Sequence, residues 1–483
     1  MKKGTKILEE KILVMKFGGT SVGTAQAMGK SVQIILGAHQ EWKRLVVVTS
    51  ALSGITTLLL DSASHASRGD HSFFQQAITQ IRSVHHGIIK ELIPDLERQA
   101  QIKQDINHII SEFSNLCEAI SVLGEATPRA LDAVAALGER MSARVLAGAL
   151  ESAGVSSMPV EATQIIITDA RYQSAHPDFE QTKFRTRQIL NPILALGTVP
   201  VITGFIGATR EGITTTLGRG GSDYSAAIIA AALPSHEVWI WTDVDGVMTA
   251  DPRIVSNAHT IPEITYREVA ELAYFGAKVL HPKTIRPIIE AKIRLRVCNT
   301  FNPDYPGTRL VDSVPWDETK RGPTDIVKAV TVIRDLQLIT IEGRGMLGVP
   351  GVAARTFGAV ADTGTSVPLI SQASSEQSIC FAVPAESTTS VIAALEKSFA
   401  NELVGRDIDR IWATNEVVIV TVVGEGMRNT PGISGRVFNA LGDQSVNVIA
   451  IAQGSSEVSI SLIVDAKDAE KAVRALHQLI VKE

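Results

Sequence analysis

The chain has 483 residues, a formal net charge of -5, and 45% hydrophobic and 20% charged residues. That is the balance of a globular protein of about two to four domains. It argues against a nucleic-acid partner, which needs a basic face, and no apolar run is long enough to span a membrane. Cys117, Cys298 and Cys380 are odd in number and far apart, so neither a zinc spacing nor a disulfide framework is present. With an N-terminal apolar run too short for a signal peptide, the thiols read as reduced groups of a cytoplasmic protein.

Residues 1–300 alternate strands and helices. Aromatics are only 5% while Ala, Val, Ile and Gly are abundant, which favours aliphatic strands covered by small-residue helices. Residues 12–16 read as a buried strand that ends in Lys16-Phe17-Gly18-Gly19-Thr20-Ser21. A glycine pair lets a backbone approach a phosphate, and Lys16 adds a cation, so this turn reads as a phosphate cradle or as an ordinary strand-to-helix turn. It is not the common P-loop: Gly23 to Gly29-Lys30-Ser31 has one residue too many between the glycines.

A helix follows over residues 25–39, then a second strand over 45–50 that runs into Ala51-Leu52-Ser53-Gly54-Ile55-Thr56. Two strand ends finishing in small and hydroxyl residues make one crevice, because open α/β sheets bind ligands at the carboxyl ends of their strands. Residues 58–130 read as helical, interrupted at 65–70 and near Pro94; the helix over 131–152 carries Glu139.

The strand over 199–205 leads to Gly218-Arg219-Gly220-Gly221-Ser222-Asp223 and an alanine-rich helix over 224–232. Arg219 can hold a carboxylate or phosphate through two hydrogen bonds, and Ser222 adds a donor. Asp223 can organise nearby lysines, bind an amine or a metal, or cap the helix dipole. A strand over 238–241 ends in Thr242-Asp243-Val244-Asp245-Gly246, with Asp251-Pro252-Arg253 beyond it. This reads as a nucleotide loop or a polar turn. The segment 265–280 reads as a helix carrying Gly276-Ala277-Lys278, and residues 301–325 as a Pro-, Asp- and Gly-rich linker.

The last 160 residues or so repeat a β-α-β-β-α pattern. Val349-Pro350-Gly351 matches Thr430-Pro431-Gly432, and Ile370-Ser371-Gln372 matches Ile451-Ala452-Gln453. The modules fall at 326–415 and 416–483, and residues 326–333 are expected to complete the sheet of the second. Small sheets of this kind expose edges, so pairing between modules or subunits is expected.

Taken together, the first 300 residues offer lysines, arginines and glycine turns but no Ser-His-Asp set and no metal-ligand spacing. That suits phosphoryl transfer, in which a protein mainly positions reactants and neutralises charge. A carboxylate or carbamate acceptor is already ionised and needs no base.

At this point the chain resembles the aspartate kinases. Lys16-Phe17-Gly18-Gly19-Thr20-Ser21-Val22, Gly218-Arg219-Gly220-Gly221-Ser222-Asp223-Tyr224, Trp241-Thr242-Asp243-Val244-Asp245-Gly246 and Phe275-Gly276-Ala277-Lys278-Val279-Leu280-His281-Pro282 match that family's motifs in order. The tail resembles its paired ACT modules.

The resemblance implies an α/β amino-acid kinase fold, an open, mainly parallel sheet between helices, followed by two ferredoxin-like ACT modules. It implies ATP-dependent phosphorylation of L-aspartate on its β-carboxylate, the first step toward lysine, threonine and methionine. Lys16, Gly18 and Gly19 would hold the transferring phosphate, and Asp223 would organise the charged centre. Arg219 would grip the aspartate α-carboxylate and Glu139 its ammonium, with Ser50, Thr56 and Ser222 near the substrate. Thr242, Asp243, Met248, Arg253, Lys278 and Val279 would line the ATP site, although many relatives carry a tyrosine where Met248 stands. Magnesium would arrive on the ATP phosphates.

Regulation by an end-product amino acid is implied, with at least a homodimer formed through the ACT modules. Lysine-sensing relatives have an acidic residue where Pro368 stands. Gln372 and Gln453 resemble the paired glutamines of threonine-sensing relatives fused to homoserine dehydrogenase, which points to threonine. No dinucleotide fingerprint follows the repeats, so this is either a monofunctional enzyme or part of a fusion. Two other readings stay open: a kinase of the same fold acting on acetylglutamate, glutamate, carbamate or UMP, and an amino-acid sensor with an inactive kinase domain.

Overall fold

The computed structural model describes residues 11–276, 280, 282–312, 326–346, 349–372, 377–427, 430–453 and 458–480. The chain divides into two compact units. The first is Met1–Val247 with Pro262–Tyr266 and Leu280–Val314, and the second is Met248–Ile261 with Arg267–Val279 and Pro315–Glu483.

The strands of the first unit are β1 (Ile12–Phe17), β2 (Arg44–Thr49), β3 (Ser157–Val160), β4 (Val199–Thr203), β5 (Ile206–Ala208), β6 (Thr214–Thr216), β7 (Ser235–Thr242), β8 (Glu263–Thr265), β9 (Arg294–Asn299) and β10 (Thr308–Val311). Its helices are α1 (Gly19–Val22), α2 (Ala25–Glu41), α3 (Ile55–Ala66), α4 (His71–Leu92), α5 (Leu96–Leu123), α6 (Pro128–Ser152), α7 (Phe179–Ala195) and α8 (Gly221–Ala232). The helix α9 (Tyr266–Tyr274) falls almost wholly in the second unit, and α10 (Pro282–Glu290) in the first.

One sheet runs β3-β4-β2-β1-β7-β9-β10-β8, and β5 with β6 forms a separate hairpin. The pairs from β3 to β9 are parallel, while β10 turns back antiparallel to β9. All six residues of β1 are buried, as expected of a parallel strand covered by helices on both faces. Backbone hydrogen bonds continue past the strand ends: Gly18 N–H to Trp241 O at 3.1 Å, Ser50 N–H to Phe17 O at 3.1 Å and Gly204 N–H to Thr49 O at 2.8 Å. These bonds hold the loops after β1, β2, β4 and β7 side by side at the carboxyl edge of the sheet.

The long helix α6 lies against this edge. A Cβ added at Gly138 would come within 2.8 Å of the Ala51 Cβ, so glycine there allows the helix to sit flat on the loop after β2. Thr49 Oγ1 and Ser142 Oγ bond at 3.2 Å beneath the same contact.

The second unit adds β11 (Ala329–Glu342), α11 (Val352–Asp362), β12 (Leu369–Gln372), β13 (Ser378–Pro384), α12 (Thr388–Ser398), α13 (Ala400–Gly405), β14 (Arg410–Val423), α14 (Ile433–Asp443), β15 (Ala450–Ala452), β16 (Ser459–Asp465) and α15 (Ala469–His477). Its antiparallel sheet runs β12-β13-β11-β14-β16-β15. The two central strands serve both repeats. Ala329–Ile333 pair with Val423–Ile419, which completes the second repeat's sheet, as the sequence suggested. Leu336–Glu342 pair with β13 of the first repeat. The register shifts between these halves, where Asp335 takes a φ of 59°.

Three features depart from the sequence reading. Thr308–Val311, inside the stretch read as a linker, is a strand of the first unit's sheet with Leu310 buried. The helix expected over 265–280 is formed at Tyr266–Tyr274 and stops before Gly276, whose φ is 96°. Residues 248–261 and 267–276, read as part of the first 300-residue domain, pack into the second unit. Ala250, Ile254 and Val255 join its core, and Thr249 Oγ1 bonds to His477 Nε2 at 2.9 Å. Buried Glu268 accepts from Lys328 Nζ at 2.7 Å and from the Glu425 N–H at 2.8 Å.

Candidate active site

A cleft of about 960 Å³ opens at the carboxyl edge of the first unit's sheet. It forms there because β1, β2, β4 and β7 end in glycine or hydroxyl residues rather than in bulk. Gly19 approaches the Ala51 carbonyl so closely that an added Cβ would lie 3.1 Å from it. Gly204 is needed beside Ser222, since a Cβ there would meet the Ser222 side chain at 2.8 Å.

Lys16 leaves the buried strand β1 pointing into the cleft. It is 8% exposed, and its Nζ sits 2.6 Å from Asp223 Oδ1. Asp223 lies in the first turn of α8, which starts after Gly220 in a left-handed conformation, φ 70°. Gly218 is also left-handed, φ 78°, and Gly221 N–H bonds back to its carbonyl at 2.9 Å. The turn therefore presents exposed Arg219 and half-buried Ser222 at the mouth of the cleft. Gly18 lines the cleft too, but its N–H is taken by Trp241 O, so the cation at this turn is Lys16.

Glu139 lies on α6, 3% exposed. Its Oε1 accepts the Ala51 N–H at 3.2 Å, and its Oε2 is buried with no hydrogen-bond partner among the described residues. Burial pushes its pKa up to about 8, against the opposing pull of the Ala51 N–H and its own backbone N–H. Ser50 and Thr56 line the same cleft from the loop after β2 and the first turn of α3. Thr242 and Asp243 close it at the end of β7, where the Thr242 hydroxyl donates to Asp243 Oδ1 at 3.2 Å.

Eleven of the residues singled out from the sequence thus share one cavity. Met248 and Arg253 belong to the second unit, where Arg253 is exposed and pairs with Asp251 at 2.6 Å. Lys278 and Val279 lie outside the described residues. In the second unit, Gln372 lines a cavity of about 370 Å³ with Met346, Pro350, Gly351 and Ile379. Gln453 is exposed just after β15. Asp132, Gln173, Phe205 and Thr216 line the main cleft and were not singled out from the sequence. Asp132 stands two helical turns before Glu139, and that spacing was the signal available.

Among the described residues no three His, Cys, Asp or Glu side chains are placed to hold a metal ion. Asp223 faces Lys16 and Asp132 is fully bonded, so the donor set fits an ion carried on a ligand's phosphates better than one caged by protein. No described helix is long and apolar enough to cross a membrane.

The chain matches the amino acid kinase family over residues 11–299 and the ACT domain over residues 339–399 and 420–479. It is 31% identical to an aspartokinase of Schizosaccharomyces pombe, over 97% of this chain and 93% of that one. The chain belongs to the aspartokinase family. The backbone of this aspartokinase-family chain superposes on E. coli aspartokinase III solved with aspartate and ADP, with a TM-score of 0.80 and 30% identity over 98% of this chain and 100% of that one. A second structure of the E. coli protein, with lysine and aspartate, matches with a TM-score of 0.76 and 32% identity over the same shares. Bifunctional aspartokinase/homoserine dehydrogenase 2 of Arabidopsis thaliana is 37% identical over 96% of this chain. The chain spans about half the length of that relative.

Proposed function

We propose that the chain transfers the γ-phosphoryl group of ATP to the β-carboxylate of L-aspartate, giving 4-phospho-L-aspartate and ADP, as the first step toward lysine, threonine and methionine. The observation that carries this reading is the buried Lys16–Asp223 pair in the same cleft as the Glu139 carboxylate oxygen that has no hydrogen-bond partner among the described residues. One side of the cleft is built for a transferring phosphate and the other for an ammonium.

The chemistry follows from charge. The β-carboxylate is ionised near neutral pH, so it attacks the γ-phosphorus directly and the bond to the bridging oxygen of ADP breaks. No base is required, and among the described residues no histidine lines the cleft. Lys16 neutralises charge on the phosphoryl oxygens, and Asp223 fixes the Lys16 ammonium in place. Arg219 holds the α-carboxylate and Glu139 the ammonium, with Ser50, Thr56 and Ser222 completing the substrate side. Gly18, Gly19, Thr242 and Asp243, which line the first unit's cleft, face the nucleotide. Magnesium bound to ATP supplies further charge neutralisation. The E. coli structure named for aspartate and ADP supports this pairing of ligands.

ATP, L-aspartate and hydroxylamine incubated with the folded protein are expected to yield aspartyl hydroxamate. No hydroxamate above background rejects the reading. Hydroxamate formed instead with glutamate or acetylglutamate reassigns the acceptor.

L-Threonine is assigned as the effector over L-lysine. A neutral amide suits a hydroxyl or a zwitterion, and Pro368 offers no acceptor for a second ammonium. Threonine is expected to inhibit the hydroxamate assay and lysine to leave it unchanged; inhibition by lysine alone overturns the assignment. The second unit's edge strands expose Ile370 and Ile451, which supports a homodimer or larger assembly through these modules. A solution mass of one chain by light scattering would remove that part of the reading.

A further inference from the structure

Asp132 is 1% exposed, lines the cleft, and has every acceptor position it offers to the protein in use. Its Oδ1 accepts from the Thr216 hydroxyl at 2.7 Å, its Oδ2 accepts from the Thr216 N–H at 2.9 Å, and both oxygens lie within 3.1 Å of the Gln173 N–H. Burial raises its pKa and these donors oppose the rise. A buried carboxylate with three donors is unusual as filler, because its desolvation cost is recovered only while all of them stay in place.

What the carboxylate ties together is specific. Thr216 is the last residue of β6, three positions before Arg219 in the glycine-rich turn. Gln173 sits in the loop before α7 with a strained φ of 67°. The Ala175 N–H bonds to the Thr216 carbonyl at 2.9 Å, and a Cβ on Gly218 would come within 3.0 Å of the Gln173 carbonyl. Gln173 thus packs directly against the start of the Arg219 turn. Asp132 and Glu139 stand seven residues apart on α6, within about 20° of the same helix face. One rigid helix therefore carries both the candidate ammonium site and the anchor of the turn that bears Arg219.

We propose that Asp132 is a positioning residue: it clamps Thr216 and the Gln173 loop so that Arg219 stands at a fixed span from Glu139, the span of an α-amino acid's carboxylate and ammonium. The inference rests on the reading of Arg219 and Glu139 given above. It makes Asp132 a determinant of acceptor affinity rather than of phosphoryl transfer. Asp132→Asn keeps the size but replaces one acceptor oxygen with an NH₂ group, so one of the two Thr216 donors, its N–H on Oδ2 or its hydroxyl on Oδ1, loses its acceptor.

The test is a double-mutant cycle of Asp132→Asn and Arg219→Ala, read by aspartate KM, ATP KM and kcat. Hydrogen exchange of residues 214–221 is measured on the same samples. Asp132→Asn is expected to raise aspartate KM about ten- to a hundredfold, to move ATP KM by less than about twofold, and to speed exchange of the segment. In the Arg219→Ala background it is expected to add little, because the clamp acts through that side chain. Thr216→Ser, which keeps the hydroxyl donor, is expected to stay near wild type, and Thr216→Val to share part of the defect. Additive losses, or ATP KM rising in step with aspartate KM, overturn the proposal, since a general packing defect behaves that way. Faster exchange with unchanged aspartate KM also overturns it. If the wild-type protein forms no aspartyl phosphate, the functional reading fails; unchanged exchange in Asp132→Asn then rejects the clamp as well, and faster exchange keeps it as an anchor of the turn.

Discussion

Lys16→Ala is expected to lower kcat for aspartyl phosphate formation about a hundred- to a thousandfold, the usual cost of removing one preorganised charge from a transition state. The expectation rests on geometry. Lys16 is held in the cleft by a 2.6 Å ion pair to Asp223, on a strand whose six residues are all buried, so its ammonium does not reorganise as charge develops on the phosphoryl group. Steady-state kinetics with both substrates and a circular-dichroism melt check it. A loss confined to ATP KM would make Lys16 a ground-state binding residue and remove its catalytic role. Loss of the folded signal would leave kcat to be read from Asp223→Asn. That variant keeps the lysine but takes away the charge that orients it, and it is expected to lower kcat less than Lys16→Ala does.

Glu139→Gln is expected to raise aspartate KM about ten- to a hundredfold, the worth of a hydrogen bond to a charged partner. It should also erase a pH dependence. In the free protein the carboxyl has a pKa of about 8, raised by burial, so at neutral pH the site is mostly protonated. An incoming ammonium selects the ionised form. Aspartate KM should therefore fall as pH rises toward 8, because the binding-competent fraction grows. Aspartate binding near pH 7 should release a proton, seen by calorimetry in buffers of different ionisation enthalpy. A wild-type KM flat between pH 6 and 8, or proton release retained in Glu139→Gln, would sink the assignment.

The same shift has a consequence for stability. The folded-state pKa lies above the ordinary carboxylate value of 4.5, so the native protein binds this proton more tightly than the unfolded chain does. The stabilising contribution is complete below the unfolded pKa and is lost as pH rises through about 8. Glu139→Gln, which cannot ionise, should gain melting temperature relative to wild type between pH 5 and 8. A constant difference over that range would place the carboxyl in a more solvated setting than the 3% exposure indicates.

Much of this protein was legible in residue order alone. The aliphatic run from Ile12 to Phe17 ends in lysine and glycine, and a strand covered on both faces requires that pattern at the edge where ligands collect. The repeat in the tail was visible because two modules with one sheet geometry need glycine at the same helix starts, Gly351 and Gly432, both left-handed. Tertiary structure alone decided the rest. Asp132 is an ordinary helical acid until Thr216 and Gln173, 84 and 41 residues away, supply its donors. Thr308–Val311 looks like linker because four residues carry no periodicity of their own; β9 and β8 beside it make it a strand. Residues 248–261 read as part of the catalytic domain by position, but Ala250, Ile254 and Val255 bury their apolar surface in the core of the second unit. Local pattern records which face a residue wants to bury. Which surface it finds depends on long-range packing, and that partner is not written in neighbouring positions.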